Sequence, residues 1–186
     1  MNRREQILDT AAELFARHGF HGVSIADLGA ACGVTGPALY KHFRGKQAIL
    51  AAMLVGISEE LLTEGRRRVR AAGDDKAALE ALIDWHVSFA LEHEALIVVQ
   101  DRDWAALPVE ARETVRETQR KYVEVWVKQL RAIRPDLDAK EARAAVHAAF
   151  GLLNSTPHSA LLPPEEMRAL LSSMAHKALG CVPVRA

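Results

Sequence analysis

Along this chain apolar residues return at spacings of three and four with polar residues between them. The two-residue alternation of a half-buried strand is nearly absent, which predicts an all-α fold of about nine helices. The first helix is predicted from about Arg3 to His18, with Ile7, Leu8, Ala11, Leu14 and Phe15 on one face and Gly19 as its stop. Ser24 then reads as an N-cap, with Asp27 in the first turn of a short helix ending near Ala31. Cys32-Gly33-Val34-Thr35 is a turn. Thr35 or Gly36 caps a third helix whose Pro37 suits the first helical position, and that helix runs through Phe43 to a stop at Arg44-Gly45.

A long fourth helix is expected from near Lys46, carrying Ile49, Leu50, Met53, Leu54, Ile57 and Leu61 and ending in the basic run Arg66, Arg67, Arg68, Arg70. After the break at Ala72-Gly73-Asp74-Asp75, another helix reaches about Glu92 through Leu79, Leu82, Ile83, His86 and Phe89. A shorter apolar piece around Leu96 to Val99 leads to Pro108. That proline opens a helix to about Ile133 with outward Glu117/Lys121 and Glu124/Lys128 pairs at i,i+4. Asp138 with Glu141 forms an acidic capping box for the next helix, the string from Asn154 to Ser159 interrupts it, and Pro163-Pro164 starts the last.

Composition narrows the function classes. Lys plus Arg and Asp plus Glu are each 24, so the formal charge is zero and neither a polyanion-binding arm nor an acidic tail is expected. Hydrophobic residues at 49% and charged residues at 26% are those of a folding globular chain. Cys32 and Cys181 form no metal or disulfide cluster, and no apolar run approaches a membrane span. The expectation is therefore a cytoplasmic protein with no cofactor, no metal and no membrane partner.

Enzyme chemistry is not legible either. His93-Glu94-Ala95-Leu96-Ile97 begins like a zinc-protease helix but has Ile97 where the second His must stand. There is no Glu-x-x-His, no Gly-x-Ser-x-Gly, and Gly45-Lys46 is followed by Gln47 rather than Ser or Thr.

The chemistry sits near the N-terminus. A helix, a short turn holding Gly33 and a second helix form the geometry that lays one helix in the DNA major groove. The string from Ser24 to Phe43, followed by Gly45-Lys46 and preceded by Ala12, Leu14-Phe15 and Gly19, closely resembles the DNA-binding domain of the TetR/AcrR family of regulators. The resemblance covers about residues 3 to 60. It implies that Tyr40 and His42 reach phosphate oxygens, that Lys46 grips another phosphate, and that Ser24 joins the contact set. Base reading would fall to Thr35, Gly36, Pro37, Ala38 and Lys41. Among these, only Thr35 and Lys41 carry polar side chains, so apolar contact and DNA shape are expected to contribute. The arginine run stands about 30 Å along a helix from Lys46 and is read as a solvated helix end.

The same resemblance implies a DNA-binding domain over residues 1–61, with its helix-turn-helix at about 24–43, and an effector-binding and dimerisation domain over 62–186. It implies a homodimer on a pseudo-palindromic double-stranded operator. Val146, Phe150, Leu153, Leu170, Leu171 and Met174 are candidates for the dimer interface, or else for the monomer core. It implies a small, largely apolar effector among Trp85, His86, Phe89, Arg102, Trp104, Tyr122, Trp126, Phe150 and Asn154. The strings Gln100-Asp101-Arg102-Asp103 and Asn154 to Ser159 look like those of family members that regulate acyl-CoA and fatty-acid catabolism. The expected function is a ligand-released repressor. The alternative is a helical ligand-binding or dimerising protein that no longer binds an operator.

Overall fold

The computed structural model describes residues 2–180; Cys181 lies outside them. The described residues contain ten α-helices, one 3-10 turn and no strand. In order they are α1 (Arg3–His18), α2 (Ile25–Ala31), α3 (Gly36–Tyr40), α4 (Lys46–Ala71), α5 (Asp75–Glu92), α6 (Glu94–Asp103), the 3-10 turn Trp104–Ala106, α7 (Val109–Ile133), α8 (Ala139–Leu153), α9 (Thr156–Ser159) and α10 (Pro164–Ala178). Two elements exceed the expectation. The piece around Leu96 is a ten-residue helix, and the break after Asn154 holds a single helical turn.

The chain forms two compact units. One comprises residues 1–58 and 95–116, the other residues 59–94 and 117–186, so α4 and α7 each contribute to both. Within α4 the break between the two units falls after Ser58. Residues 95–116, assigned from sequence to the second domain, pack with the first.

In the first unit α1 begins on a capping box in which Asn2 accepts from the Glu5 N–H and the Glu5 carboxylate accepts from the Asn2 N–H. Ile7, Ala11 and Phe15 on its inner face are fully buried with Leu28 of α2, Leu39 of α3 and Leu50 of α4. Phe20 adds an edge-to-face contact to Phe15, with centroids 5.3 Å apart.

In the second unit α10 packs on α5 and α8. The fully buried Trp126 of α7 sits in one core with Leu82, Ile83, Leu130, Val146 and Leu153. The Asp138–Glu141 capping box expected for α8 is present, and the Thr156 hydroxyl ties α9 to α5 by donating to the Ala90 carbonyl at 2.6 Å. At Gly65 α4 approaches Tyr122 closely, since a Cβ there would stand 2.7 Å from its Cε2.

Candidate DNA interface and effector region

The helix-turn-helix is built by backbone economy. α2 is capped by Ser24, whose Oγ accepts from the Asp27 N–H at 3.1 Å, while Asp27 accepts from both the N–H and the hydroxyl of Ser24. Those bonds hold the Asp27 carboxyl below its usual range. In the free protein both donors of Ser24, an expected member of the contact set, are engaged by Asp27. The turn is closed by the Val34 N–H on the Gly29 carbonyl at 2.8 Å, with Gly33 at φ +64°. Gly29 permits the close crossing, because a Cβ there would lie 2.8 Å from the Val34 carbonyl oxygen.

α3 is shorter than the pattern suggested. It ends at Tyr40, and Lys41 and His42 continue in a turn whose N–H groups donate to Ala38 and Leu39 three residues back. Its buried side is Leu39, with Phe43 just beyond. Thr35, Pro37, Tyr40, Lys41 and His42 are exposed, and Gly36 and Ala38 are half-buried. Thr35 stands at the N-cap without a side-chain capping bond, so its hydroxyl is available to a base edge.

Lys46 is placed otherwise than expected. Its ammonium donates to the carbonyls of Phe20 at 2.7 Å and Val23 at 2.8 Å and lies 4.4 Å from the centre of the Phe20 ring. Two of its three donors thus pin the α1–α2 connection to the start of α4, and one is left for a phosphate. Beside it opens a hollow of about 580 Å³ lined in part by His21, Arg44, Lys46 and Pro108 at the α4 N-terminus, where unpaired helix N–H groups favour anions.

The effector candidates separate. Arg102 and Trp104 fall in the first unit. The Arg102 guanidinium donates to the carbonyls of Phe15 and Ala16, and pairs with Asp103, which in turn accepts from the Phe20 N–H at 3.2 Å. That is a brace between α6 and the end of α1, so Arg102, an expected ligand contact, is engaged within the first unit.

In the second unit His86, Tyr122, Trp126 and Phe150 come together. His86 stacks on Phe150 at 4.5 Å and meets Trp126 edge-on at 5.9 Å, with Phe89 at 5.6 Å. Its Nε2–H donates to Asn154 Oδ1 at 3.0 Å, and its Nδ1 faces the Tyr122 hydroxyl at 3.4 Å. Burial lowers the His86 pKa to about 4, against the opposing bond to Asn154, so the ring is neutral at physiological pH. Burial likewise raises the Tyr122 phenol. Trp85 stands apart from these rings, half-buried under the Arg68 guanidinium at 5.1 Å.

The dimer candidates divide too. Val146 and Leu153 have no exposed surface and Leu171 only 2%, so all three fill the monomer core and present no face to a partner. Leu170 and Met174 are each 42% exposed, while Phe150 joins the aromatic cluster. Sequence reading missed the exposed Ala144, Ala148 and Gly151 of α8, which share one face by their spacing. Among the described residues no cluster of His, Cys, Asp and Glu could hold a metal, and no helix is long and apolar enough to cross a membrane.

An exposed recognition helix on a braced three-helix scaffold, with a separate helical unit behind it in sequence, defines a helix-turn-helix regulator of transcription. Residues 7–53 match the family described as bacterial regulatory proteins, tetR family, and residues 72–158 match the tetracyclin repressor-like C-terminal domain. The chain belongs to the tetR family and is a DNA-binding, ligand-responsive transcriptional regulator.

It is 29% identical over 147 residues to the HTH-type transcriptional repressor KstR2 of Rhodococcus jostii, covering 75% of this chain and 72% of that one. A TetR-family regulator from Bordetella parapertussis 12822 superposes with a TM-score of 0.85 at 25% identity, covering 100% of this chain and 99% of that one. The structure of AibR in complex with isovaleryl coenzyme A and operator DNA shares the fold. Its TM-score is 0.74 at 20% identity over 93% of this chain and 97% of that one.

Proposed function

We propose that the protein is a homodimeric repressor in the cytoplasm, released from a pseudo-palindromic operator by a small, largely apolar effector of the acyl-CoA class. It works by binding, without a catalytic step. The observation that carries the DNA reading is the exposed run Thr35, Tyr40, Lys41 and His42 on a scaffold braced by the Ser24–Asp27 and Lys46 hydrogen bonds. These side chains have a role once phosphates and base edges arrive. One such helix reads one half-site, so a second copy supplies the other, and the exposed face of Leu170 and Met174 with Ala144, Ala148 and Gly151 is the surface for it.

The effector reading rests on His86 and Asn154, one hydrogen-bonded polar pair set among Phe89, Trp126 and Phe150. A ligand with an acyl chain would displace ring contacts and take over those hydrogen bonds, a pattern of mostly apolar lining with few polar groups. AibR, of the same fold, was solved with an acyl-CoA and operator DNA together. Release then requires that the effector bind better to the state with weak operator affinity, and the effect cannot exceed that difference.

The test is footprinting of the purified protein on DNA upstream of its own gene, with competitor DNA and a salt series, then with acyl-CoA added. A protected palindrome that is lost on adding acyl-CoA supports the reading. Protection that persists at saturating acyl-CoA removes the effector, and protection no better than competitor at every upstream site and genome-wide removes operator binding.

A further inference from the structure

Between α4 and α7 in the second unit lies a groove of about 180 Å³ lined by Arg66, Val69, Arg70, Val125, Lys128 and Gln129. We propose that this groove seats the phosphorylated, ring-bearing end of an organic ligand, which is the nucleotide end if the effector is the acyl-CoA proposed above; it rests on that reading only for the ligand's other end.

The first observation is charge left over after pairing. Arg67 and Arg68 are both held by Glu64, at 2.6 and 3.1 Å, and Lys121 is held by Glu117 at 2.8 Å. Glu124, one turn from Lys128 and its expected partner, pairs instead with Arg143 of α8. Lys128 is therefore released from the i,i+4 pair that the sequence suggests. Arg66, Arg70 and Lys128 are exposed and carry no ion pair or hydrogen bond among the described residues, and all three border the same groove.

The second observation is Gln129. It is 4% exposed, lines the groove and makes no hydrogen bond among the described residues, and its amide atoms reach solvent, so they are free to bond a ligand seated there. A solvated helix end favoured by the dipole accounts for Arg66 and Arg70 alone. It does not account for Lys128, on a different helix, or for the Gln129 amide opening on the same groove.

The chemistry of the ligand follows from the walls. Val69 and Val125 give an apolar floor, and the methylene stems of the long cationic side chains extend it while their heads stay at the rim. Guanidinium groups stack on flat rings and grip phosphate through two parallel hydrogen bonds. Three cations answer several negative charges, as phosphates provide and a lone carboxylate does not. The volume is below the roughly 300 Å³ at which pockets begin to enclose whole ligands, so the groove holds one end of a molecule.

The experiment titrates the full-length protein with free coenzyme A, which has no acyl chain, by calorimetry in 50 and 300 mM salt. Three proteins are compared: the original, the triple variant R66Q/R70Q/K128Q, and Q129L, with thermal unfolding and operator affinity measured for each. We expect binding to the original protein that weakens with salt, at least tenfold loss in the triple variant, and a few-fold loss in Q129L. Absent binding to the original protein overturns the proposal, as does equal binding to the triple variant. A triple variant that loses operator affinity in step assigns these cations to DNA and also overturns it. Operator release by acyl-CoA is followed in parallel. Release at unchanged acyl-CoA concentration in the triple variant sinks the groove and leaves the effector reading standing. Cation-dependent coenzyme A binding without any operator release does the reverse.

Discussion

The recognition helix of the first unit and the aromatic interior of the second treat polar side chains in opposite ways. In the first, Thr35, Tyr40, Lys41 and His42 stand exposed on and beside a five-residue helix, while the bracing Ser24, Asp27 and Lys46 bond to one another or to backbone. In the second, His86 is buried and bonded to Asn154 beneath aromatic rings. A surface left unpaired in this way realises its interactions only against an external partner, so affinity there is gained without disturbing the fold. A buried pair is already satisfied, and a ligand must replace what it breaks. The contrast separates a rigid reader from a responsive interior, and it can be attacked from either side.

The largest effect is expected at the reader's scaffold. Gly29→Val forces a side chain into the Val34 carbonyl, which would stand 2.8 Å from the new Cβ. Backbone cannot move aside as a flexible side chain can, so overpacking of this kind costs about 3 kcal/mol. Operator binding should be lost while hydrogen exchange in α5, α8 and α10 stays protected. Retained binding would show that the α2–α3 crossing is softer than its geometry.

The interior is expected to respond to pH. His86 has its pKa lowered to about 4 by burial, against 6.5 when free, so between these values the unfolded chain binds a proton that the folded chain refuses. Stability is full above about pH 6.5 and falls as pH drops toward 4, by up to about 3 kcal/mol, with no further loss from this group below that. Denaturant unfolding at pH 4.5 and 7 measures it. In His86→Gln the difference between these two pH values should shrink by about 2 kcal/mol, and an unchanged difference would place the pH response elsewhere.

The same contrast explains what could be read in advance. Ser24, Gly33, Pro37, Tyr40 and Phe43 lie within twenty residues of one another, and their local spacing sets both the fold and the exposed face. The helices with caps, such as α5 at Asp74 and α8 at Asp138, were equally local and equally visible. The interior was not, because His86, Tyr122, Phe150 and Asn154 come from separate helices and meet only after packing. The bonds of Arg102 were hidden for the same reason: nothing in its sequence neighbourhood reveals that it donates to the carbonyls of Phe15 and Ala16. Val146, Leu153 and Leu171 were ambiguous because helical periodicity identifies an apolar face but not whether its own chain or another copy covers it.

Lys46 sharpens the comparison, since it belongs to both kinds of group. Removing its two charge-assisted bonds to Phe20 and Val23 in Lys46→Met should cost about 2 kcal/mol of stability in the first unit, besides any loss of DNA affinity. Thermal unfolding without DNA separates the two roles. An unchanged midpoint would make Lys46 a phosphate ligand alone.

The smallest effect is expected at Lys41, and it carries the most information about reading. The side chain is exposed, lies in the turn after α3 and takes no part in the brace, so Lys41→Ala should leave the unfolding midpoint unchanged. If its ammonium meets a phosphate, binding weakens by about tenfold on every sequence, and the slope of log affinity against log salt falls by about one for each contact removed. If it meets guanine O6 and N7, the loss is of similar size on the operator but small on competitor DNA, and one base position becomes tolerant of substitution. Tyr40→Ala, also exposed, provides the comparison because its hydroxyl is expected on phosphate, with a uniform loss across sequences. Identical profiles for the two variants would remove Lys41 from base reading. Specificity would then rest on Thr35, on apolar contact from Pro37 and Ala38, and on the shape of the operator.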